Sequence, residues 1–299
     1  MIPKLDMSRL LAGDTAEIAE LRRGAQDVGF LVVRNTALSA DDVASVIAAY
    51  RAFFHLPTAE KARVDMALTG SNRGWGAPQS ERVDPAANPD YKEVFDCGFQ
   101  LAEDDPLSEL SVYAPNLWPD LPGFRKTVQG YYRAACGTAM DILRVIAAAI
   151  GENQSYFDDK FDRPMALLRG NFYPERPDWA GDRDFGIAAH TDYGCLTLLA
   201  SDGVPGLEVQ GRDGGWLPVT AEPGEFVINF GEMLEMWTGG RVKATLHRVR
   251  GSSEERISVP LFFNPNHDAN VAPEGDAEIR AGDHLAKRFN ETYLHLAKA

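Results

Sequence analysis

Hydrophobic and polar residues alternate with different periods in the two halves of this chain. Up to about residue 155 the spacing is mainly helical. Glu17 to Val28 and Ala40 to Phe54 carry apolar side chains at three- and four-residue intervals. The second run opens near Ser39 or Asp41 and closes before Pro57. Gly29-Phe30-Leu31-Val32-Val33 between them predicts a buried strand. Asn72 to Pro89, rich in Gly, Pro, Asn and Arg, predicts a long loop. Phe124 to Ile150 is the longest helical pattern, with Tyr132, Met140, Leu143, Ile146, Ala147 and Ile150 on its apolar side and Gly151 as its stop.

From Leu167 onward the period shortens. Leu167–Tyr173, Cys195–Ala200, Leu207–Gln210, Glu225–Phe230, Ala244–Val249 and Arg256–Phe263 are short β-prone runs separated by Gly and Pro. Such spacing predicts an antiparallel barrel or sandwich. Leu285, Phe289, Tyr293 and Leu296 then fall on one side of a closing helix, Gly282 to Ala299. No repeat, low-complexity stretch or linker divides the chain. The expectation is one α+β domain over 1–299 with a mainly β core at 165–265. An N-terminal α/β cover region (1–120), a long supporting helix (121–155) and a C-terminal helix (282–299) flank that core.

Composition narrows the partners. Hydrophobic residues make up 44% of the chain, enough for a full core, and the formal net charge is −14. That charge argues against nucleic acid and anionic membrane surfaces as partners. Ile142 to Ile150, the longest apolar stretch, is interrupted by Arg144 and too short to span a bilayer. The N-terminus carries no secretory pattern. Three scattered cysteines, Cys97, Cys136 and Cys195, form no disulfide framework and point to a reducing cytoplasm, where the sequons at Asn153 and Asn290 go unused. The pattern assigns no oligomeric state.

The candidate chemistry sits in the β half. His190 and Asp192 are separated by one residue, so on an extended strand both reach the same side. With His247 they supply two imidazoles and a carboxylate, the set expected for a non-haem Fe(II) oxygenase. An H-x-D triplet also arises from helix capping, and zinc accepts the same donors. Two further i, i+2 polar pairs, Arg256/Ser258 and Asn171/Tyr173, lie on predicted strands that are otherwise apolar. Buried polar groups need partners, and a metal with an anionic ligand would satisfy all of them together. Arg256 is the natural carboxylate anchor, with hydroxyls from Ser258 and Tyr173 completing the grip. Asn171 reads as structural or as a support for its neighbours. Arg169 shares the face of Asn171 and Tyr173, and either pairs within the protein or meets a substrate carboxylate.

The ordered motifs resemble the isopenicillin N synthase-like family of Fe(II)- and 2-oxoglutarate-dependent oxygenases. Those motifs are Asn171-Phe172-Tyr173-Pro174, His190-Thr191-Asp192-Tyr193-Gly194, Asn229-Phe230-Gly231-Glu232, Thr245-Leu246-His247-Arg248-Val249 and Arg256-Ile257-Ser258. Ile2-Pro3, Gly29 to Val33 and Phe53-Phe54-His55-Leu56-Pro57 extend the likeness into the N-terminal third. The resemblance implies a double-stranded β-helix, or jelly roll, with helices outside. It implies Fe(II) on His190, Asp192 and His247, and 2-oxoglutarate on Arg256 and Ser258 with Tyr173 in support. Oxidation of a small molecule by O2, with release of succinate and CO2, follows, and hydroxylation is the default outcome. A same-family oxidase that uses no 2-oxoglutarate, or a ligand-binding protein without turnover, would share these motifs. Arg73, Trp75, Phe95 and Phe263 are the expected pocket lining, beside Arg169. His55, His267, His284 and His295 read as packing or surface residues, and Met233, Met236 and Trp237 as packing at the barrel mouth.

Overall fold

The computed structural model describes residues 1–80, 90–102, 104–176, 178 and 186–292, the last four by backbone alone. Among these, twelve strands run in chain order: β1 (Lys4–Asp6), β2 (Phe30–Arg34), β3 (Gly74–Gly76), β4 (Glu93–Gly98), β5 (Leu167–Tyr173), β6 (Ile187–His190), β7 (Leu196–Ser201), β8 (Leu207–Gln210), β9 (Trp216–Pro218), β10 (Phe226–Phe230), β11 (His247–Val249) and β12 (Arg256–Phe263). They form an eight-stranded sheet, β1-β2-β10-β7-β12-β5-β4-β3, and a four-stranded sheet, β6-β11-β8-β9. The fold is α+β, with a jelly-roll core made by the two sheets.

Seven α-helices accompany the strands among the described residues, with short 3-10 and π turns between them: α1 (Met7–Leu11), α2 (Thr15–Arg23), α3 (Ala40–Phe54), α4 (Thr58–Lys61), α5 (Phe124–Ala149), α6 (Glu232–Trp237) and α7 (Ala281–Thr292). Ser39 starts α3 with a reciprocal capping box to Asp42. The 26-residue α5 buries Phe124, Val128, Tyr131, Ala135, Ile142, Leu143 and Ile146 against α3 and the back of the large sheet. Each of the larger side chains contributes about 1.5–3 kcal/mol relative to exposure. In the predicted closing helix, Leu285 is buried. Phe289 is described by backbone alone, and Tyr293 and Leu296 lie outside the described residues.

The expected strand Ala244–Val249 is cut to β11, His247–Val249, for a definite reason. The helix expected over Glu17–Val28 ends instead in a wider π turn, Gly24–Val28, closed by Gly29 at φ +72°. Residues 243–245 cross this turn rather than join the sheet. Lys243 N donates to Ala25 O at 2.9 Å and Thr245 Oγ1 to Val28 O at 2.8 Å. A Cβ at Gly29 would stand 2.4 Å from Thr245 Oγ1, so only glycine fits beneath the crossing. The expected loop over Asn72 to Pro89 likewise contains β3, paired with β4 through Trp75 and Phe95. Its residues 81–89 lie outside the described residues.

Strand alternation decides which side chains reach the interior. On β12, Arg256, Ser258, Pro260 and Phe262 face a cavity of about 150 Å³ between the sheets. Ile257, Val259, Leu261 and Phe263 face the helices. On β5, Arg169, Asn171 and Tyr173 face the cavity, and Leu168 and Phe172 pack outward. No helix among the described residues is long and apolar enough to cross a membrane.

Candidate metal centre and co-substrate site

The two histidines face each other directly across the β6–β11 pair. Their ring centroids are 4.3 Å apart, and Phe30 meets the His247 ring edge-on at 5.3 Å. His190 does not belong to the expected Cys195–Ala200 strand; it closes β6, whose Ile-Ala-Ala-His run carries no alternation of polar and apolar residues to mark it. Asp192 lies in the turn between β6 and β7, so side-chain direction along one strand is not what aligns it with His190. The turn is held instead by the Glu232 N–H, which donates to Asp192 O at 2.8 Å.

Hydrogen bonds leave one free donor atom on each of the three residues. His190 Nδ1 donates to Ala188 O at 2.8 Å and His247 Nδ1 to Thr245 O at 3.1 Å, which turns both Nε2 lone pairs toward Asp192. Asp192 Oδ2 accepts from Asn229 Nδ2 at 2.6 Å and from Thr197 Oγ1. Its Oδ1 stands 3.7 Å from each Nε2. All three ligand atoms fall within 4.8 Å of one another.

Charge states suit a cation. Burial and the neighbouring His247 push His190 down to about 4, so its ring is neutral at ordinary pH. Burial alone would raise Asp192, but His247, His190, Thr197 and Asn229 reverse it and hold the carboxyl below its usual range. Neutral imidazoles and an ionised carboxylate are the forms that bind a metal, so the donor set fits Fe(II).

A second cluster lies on paired strands. Arg256 sits opposite Tyr173 and Ser258 opposite Asn171 across β12 and β5. Arg256 Nε donates to Val204 O at 3.0 Å, and its Cζ lies 5.1 Å from the Tyr173 ring centre. Arg256 Nη1 is buried without a partner, as is Asn171 Oδ1, whereas Asn171 Nδ2 reaches Ser258 Oγ at 3.4 Å. No acid among the described residues pairs with Arg256. Buried donors are satisfied in the great majority of cases, so this lone donor is one that an anionic ligand could satisfy.

The expected pocket residues divide. Arg73 lines the cavity. Arg169 also lines it, but is paired with Asp96 through Nε–Oδ1 at 2.8 Å and Nη2–Oδ2 at 2.6 Å. Trp75, Phe95 and Phe263 do not line the cavity, and the expectation is corrected for each. Trp75 Nε1 donates to Glu93 at 2.7 Å behind the sheet. Phe95 packs among Tyr50, Phe53 and Phe124, and Phe263 stacks on Phe161 at 4.8 Å. One step along β12 places Phe262 inside, which the alternation starting from Arg256 already implies. Met233 and Trp237 are buried in the core. Asn72, Lys92, Thr197, Asn229 and Leu285 also line the cavity without having been expected there, although Thr197, in Leu196-Thr197-Leu198-Leu199, and Asn229 belong to family motifs and Leu285 to the predicted closing helix.

Comparison with known proteins bears on this geometry. Residues 2–121 match the family model "non-haem dioxygenase in morphine synthesis N-terminal", and residues 164–265 match "2OG-Fe(II) oxygenase superfamily". The 2-oxoglutarate-Fe(II) type oxidoreductase hxnY of Emericella nidulans is 33% identical over 286 residues, covering 91% of this chain and 82% of its own. The 2-oxoglutarate-dependent dioxygenase caaD of Aspergillus niger is 33% identical over 284 residues, 92% and 87% of the two chains. Among solved structures, a full-length Neurospora crassa protein in complex with alpha-KG and thymine is 28% identical, with a TM-score of 0.84 over 97% of this chain and 96% of that one.

Proposed function

The chain belongs to the 2-oxoglutarate–Fe(II) oxygenase superfamily, in its isopenicillin N synthase-like family, and we propose that it hydroxylates a C–H bond of a small organic molecule. It is a non-haem Fe(II)- and 2-oxoglutarate-dependent dioxygenase. His190, Asp192 and His247 would hold the iron, which would supply the chemistry by which O2 and the oxo acid oxidise a substrate C–H bond.

The protein's own part is positioning. The two Nδ1–H donors lock both imidazoles in one tautomer. Thr197 and Asn229 occupy one oxygen of Asp192 and present the other. Arg256 takes the far carboxylate of 2-oxoglutarate through its unpartnered Nη1, with Ser258, Asn171 and Tyr173 around it. Leu199, Leu207 and Val249 give this end of the cavity an apolar wall that strengthens the ion pair by excluding water. The lone Arg256 Nη1 is the observation that carries the co-substrate assignment.

The same reading takes a small molecule rather than nucleic acid as the partner, on the net charge of −14. It places the protein in the cytoplasm, on three free cysteines. The test is anaerobic addition of Fe(II) and then 2-oxoglutarate to metal-free protein. A weak visible charge-transfer band requiring both is expected; bound iron with no band would reject the 2-oxoglutarate site.

A further inference from the structure

Among the described residues, four buried cations line the cavity: Arg73, Lys92, Arg169 and Arg256. Arg169 is matched by Asp96, and Lys92 by Asp90 at 3.0 Å. Arg256 is taken by the oxo acid in the reading above. Arg73 is left with no carboxylate among the described residues, although it is 2% exposed. Its Nη1 donates to Asn72 O at 2.8 Å and its Nη2 to Val112 O at 2.6 Å. Its Nε is buried and has no partner. A guanidinium carries five N–H groups, so two carbonyls leave most of its donor capacity unused, and Asp96, the carboxylate that acts on its charge, is already paired with Arg169.

The position is built rather than incidental. The guanidinium lies against Gly98, where a Cβ would stand 2.5 Å from Nη2 and 2.6 Å from Cζ. Burial draws Arg73 below the usual arginine range, a cost that an anionic ligand would reverse. Strand register measures how far this cation is from the metal ligands. Gly98 pairs with Leu167, Leu167 with Phe262, and Phe262 with Thr197, whose hydroxyl holds Asp192. Three inter-strand steps span roughly 14 Å. Met165, Leu167, Phe262 and Leu285 line the cavity on this side and are apolar.

We infer that the primary substrate is a carboxylic acid with an apolar body, its acid group held by Arg73 and its reacting carbon several bonds away, beside the His190–Asp192–His247 cluster. This rests on the proposed oxygenase reading and adds the substrate class. The acid is recognised by the cover region, whereas the jelly roll holds the co-substrate. One guanidinium therefore serves each of the two anions.

The experiment uses phenylacetate through 5-phenylpentanoate and the matching primary amides as probes. Each is titrated anaerobically into the Fe(II)–2-oxoglutarate protein, reading the shift of its visible band. The acids are expected to bind at least tenfold more tightly than their amides, with an optimum chain length. Arg73→Gln should raise the acids' Kd 10- to 100-fold, leave the amides' Kd unchanged and keep the 2-oxoglutarate Kd within twofold, and Arg73→Lys should restore part of the loss. Equal binding of acids and amides to the wild-type protein overturns the inference without need of any variant. So does the absence of any acid-induced shift, or an Arg73→Gln variant that loses 2-oxoglutarate as much as the acids. If the wild-type band never forms, the oxygenase reading itself has failed; calorimetric titration of the acids into the metal-free protein then still tests Arg73 separately.

Discussion

The jelly-roll wall of the cavity and the cover-region wall both present buried polar side chains, but they are assembled by different rules. On the jelly-roll side, Arg256, Ser258, Asn171 and Tyr173 stand on two paired strands, each residue opposite another. On the cover side, Arg73 precedes a three-residue strand and is held by the carbonyls of Asn72 and Val112, far apart in sequence. The first wall is set by a period of two along a strand. The second depends on which loops meet. Chemistry shared across a family therefore rests on register, and chemistry that chooses a substrate rests on tertiary approach.

The sharpest break in this comparison is His247→Ala. It should reduce succinate release to the level of metal-free protein, because the two remaining ligands no longer enclose the ion; iron titration and turnover measured together check this. Next is Arg256→Ala, expected to raise the KM for 2-oxoglutarate about 10- to 100-fold, in line with the ~1.5–3 kcal/mol of a charge-assisted hydrogen bond. Its iron affinity should stay unchanged, and an equal loss of both would make Arg256 structural. Thr197→Val removes one of the donors on Asp192 Oδ2 and should weaken iron binding about tenfold, the lower end for such supports, because Asn229 remains.

Acid should act on the metal centre before it acts on the cover. His190 has a lower pKa folded than unfolded, so the unfolded chain takes up this proton first as pH falls. The stability due to its neutral ring is complete above about pH 6.5 and is lost as pH falls toward 4, at up to about 1.4 kcal/mol per pH unit. Asp192, also lowered, adds a further loss below about pH 3.8. Metal-free protein should show this in urea unfolding between pH 7 and 4, and saturating metal should steepen the slope, because metal-bound ligands take up no protons in the folded state. The smallest effect on catalysis belongs to Phe95→Leu. Because Phe95 packs against helices rather than the cavity, KM values should stay within twofold while stability drops by about 1 kcal/mol.

How much is legible in the sequence follows the same division. Leu167–Tyr173, Leu207–Gln210 and Arg256–Phe263 form the strands their pattern predicts, because short β-prone runs bounded by Gly and Pro mark themselves in the chain whether one face is buried or both. His190, Asp192 and His247 are identifiable as a set, but not the reason they converge, which lies in a cross-strand pair and a turn pinned by Glu232. Phe263, expected in the pocket, is one residue from Phe262, and that single step reverses the face. Phe95 and Trp75 read as lining because aromatic residues in a Gly-rich cover suit a pocket as well as a core. Only the packing of α3 and α5 distinguishes the two. The strand β11 is shorter than its pattern because the Gly29 turn draws residues 243–245 away, a contact between segments more than 200 residues apart.

The placement of His190 opposite His247 has one more consequence. An ion gripped by both is also a cross-link between two strands of the smaller sheet, which has only four. By mass action such a ligand adds about 2.7 kcal/mol when its free concentration is a hundred times its Kd. Chelation should therefore loosen β6 and β11 first, raising amide hydrogen exchange there while the eight-stranded sheet keeps its protection.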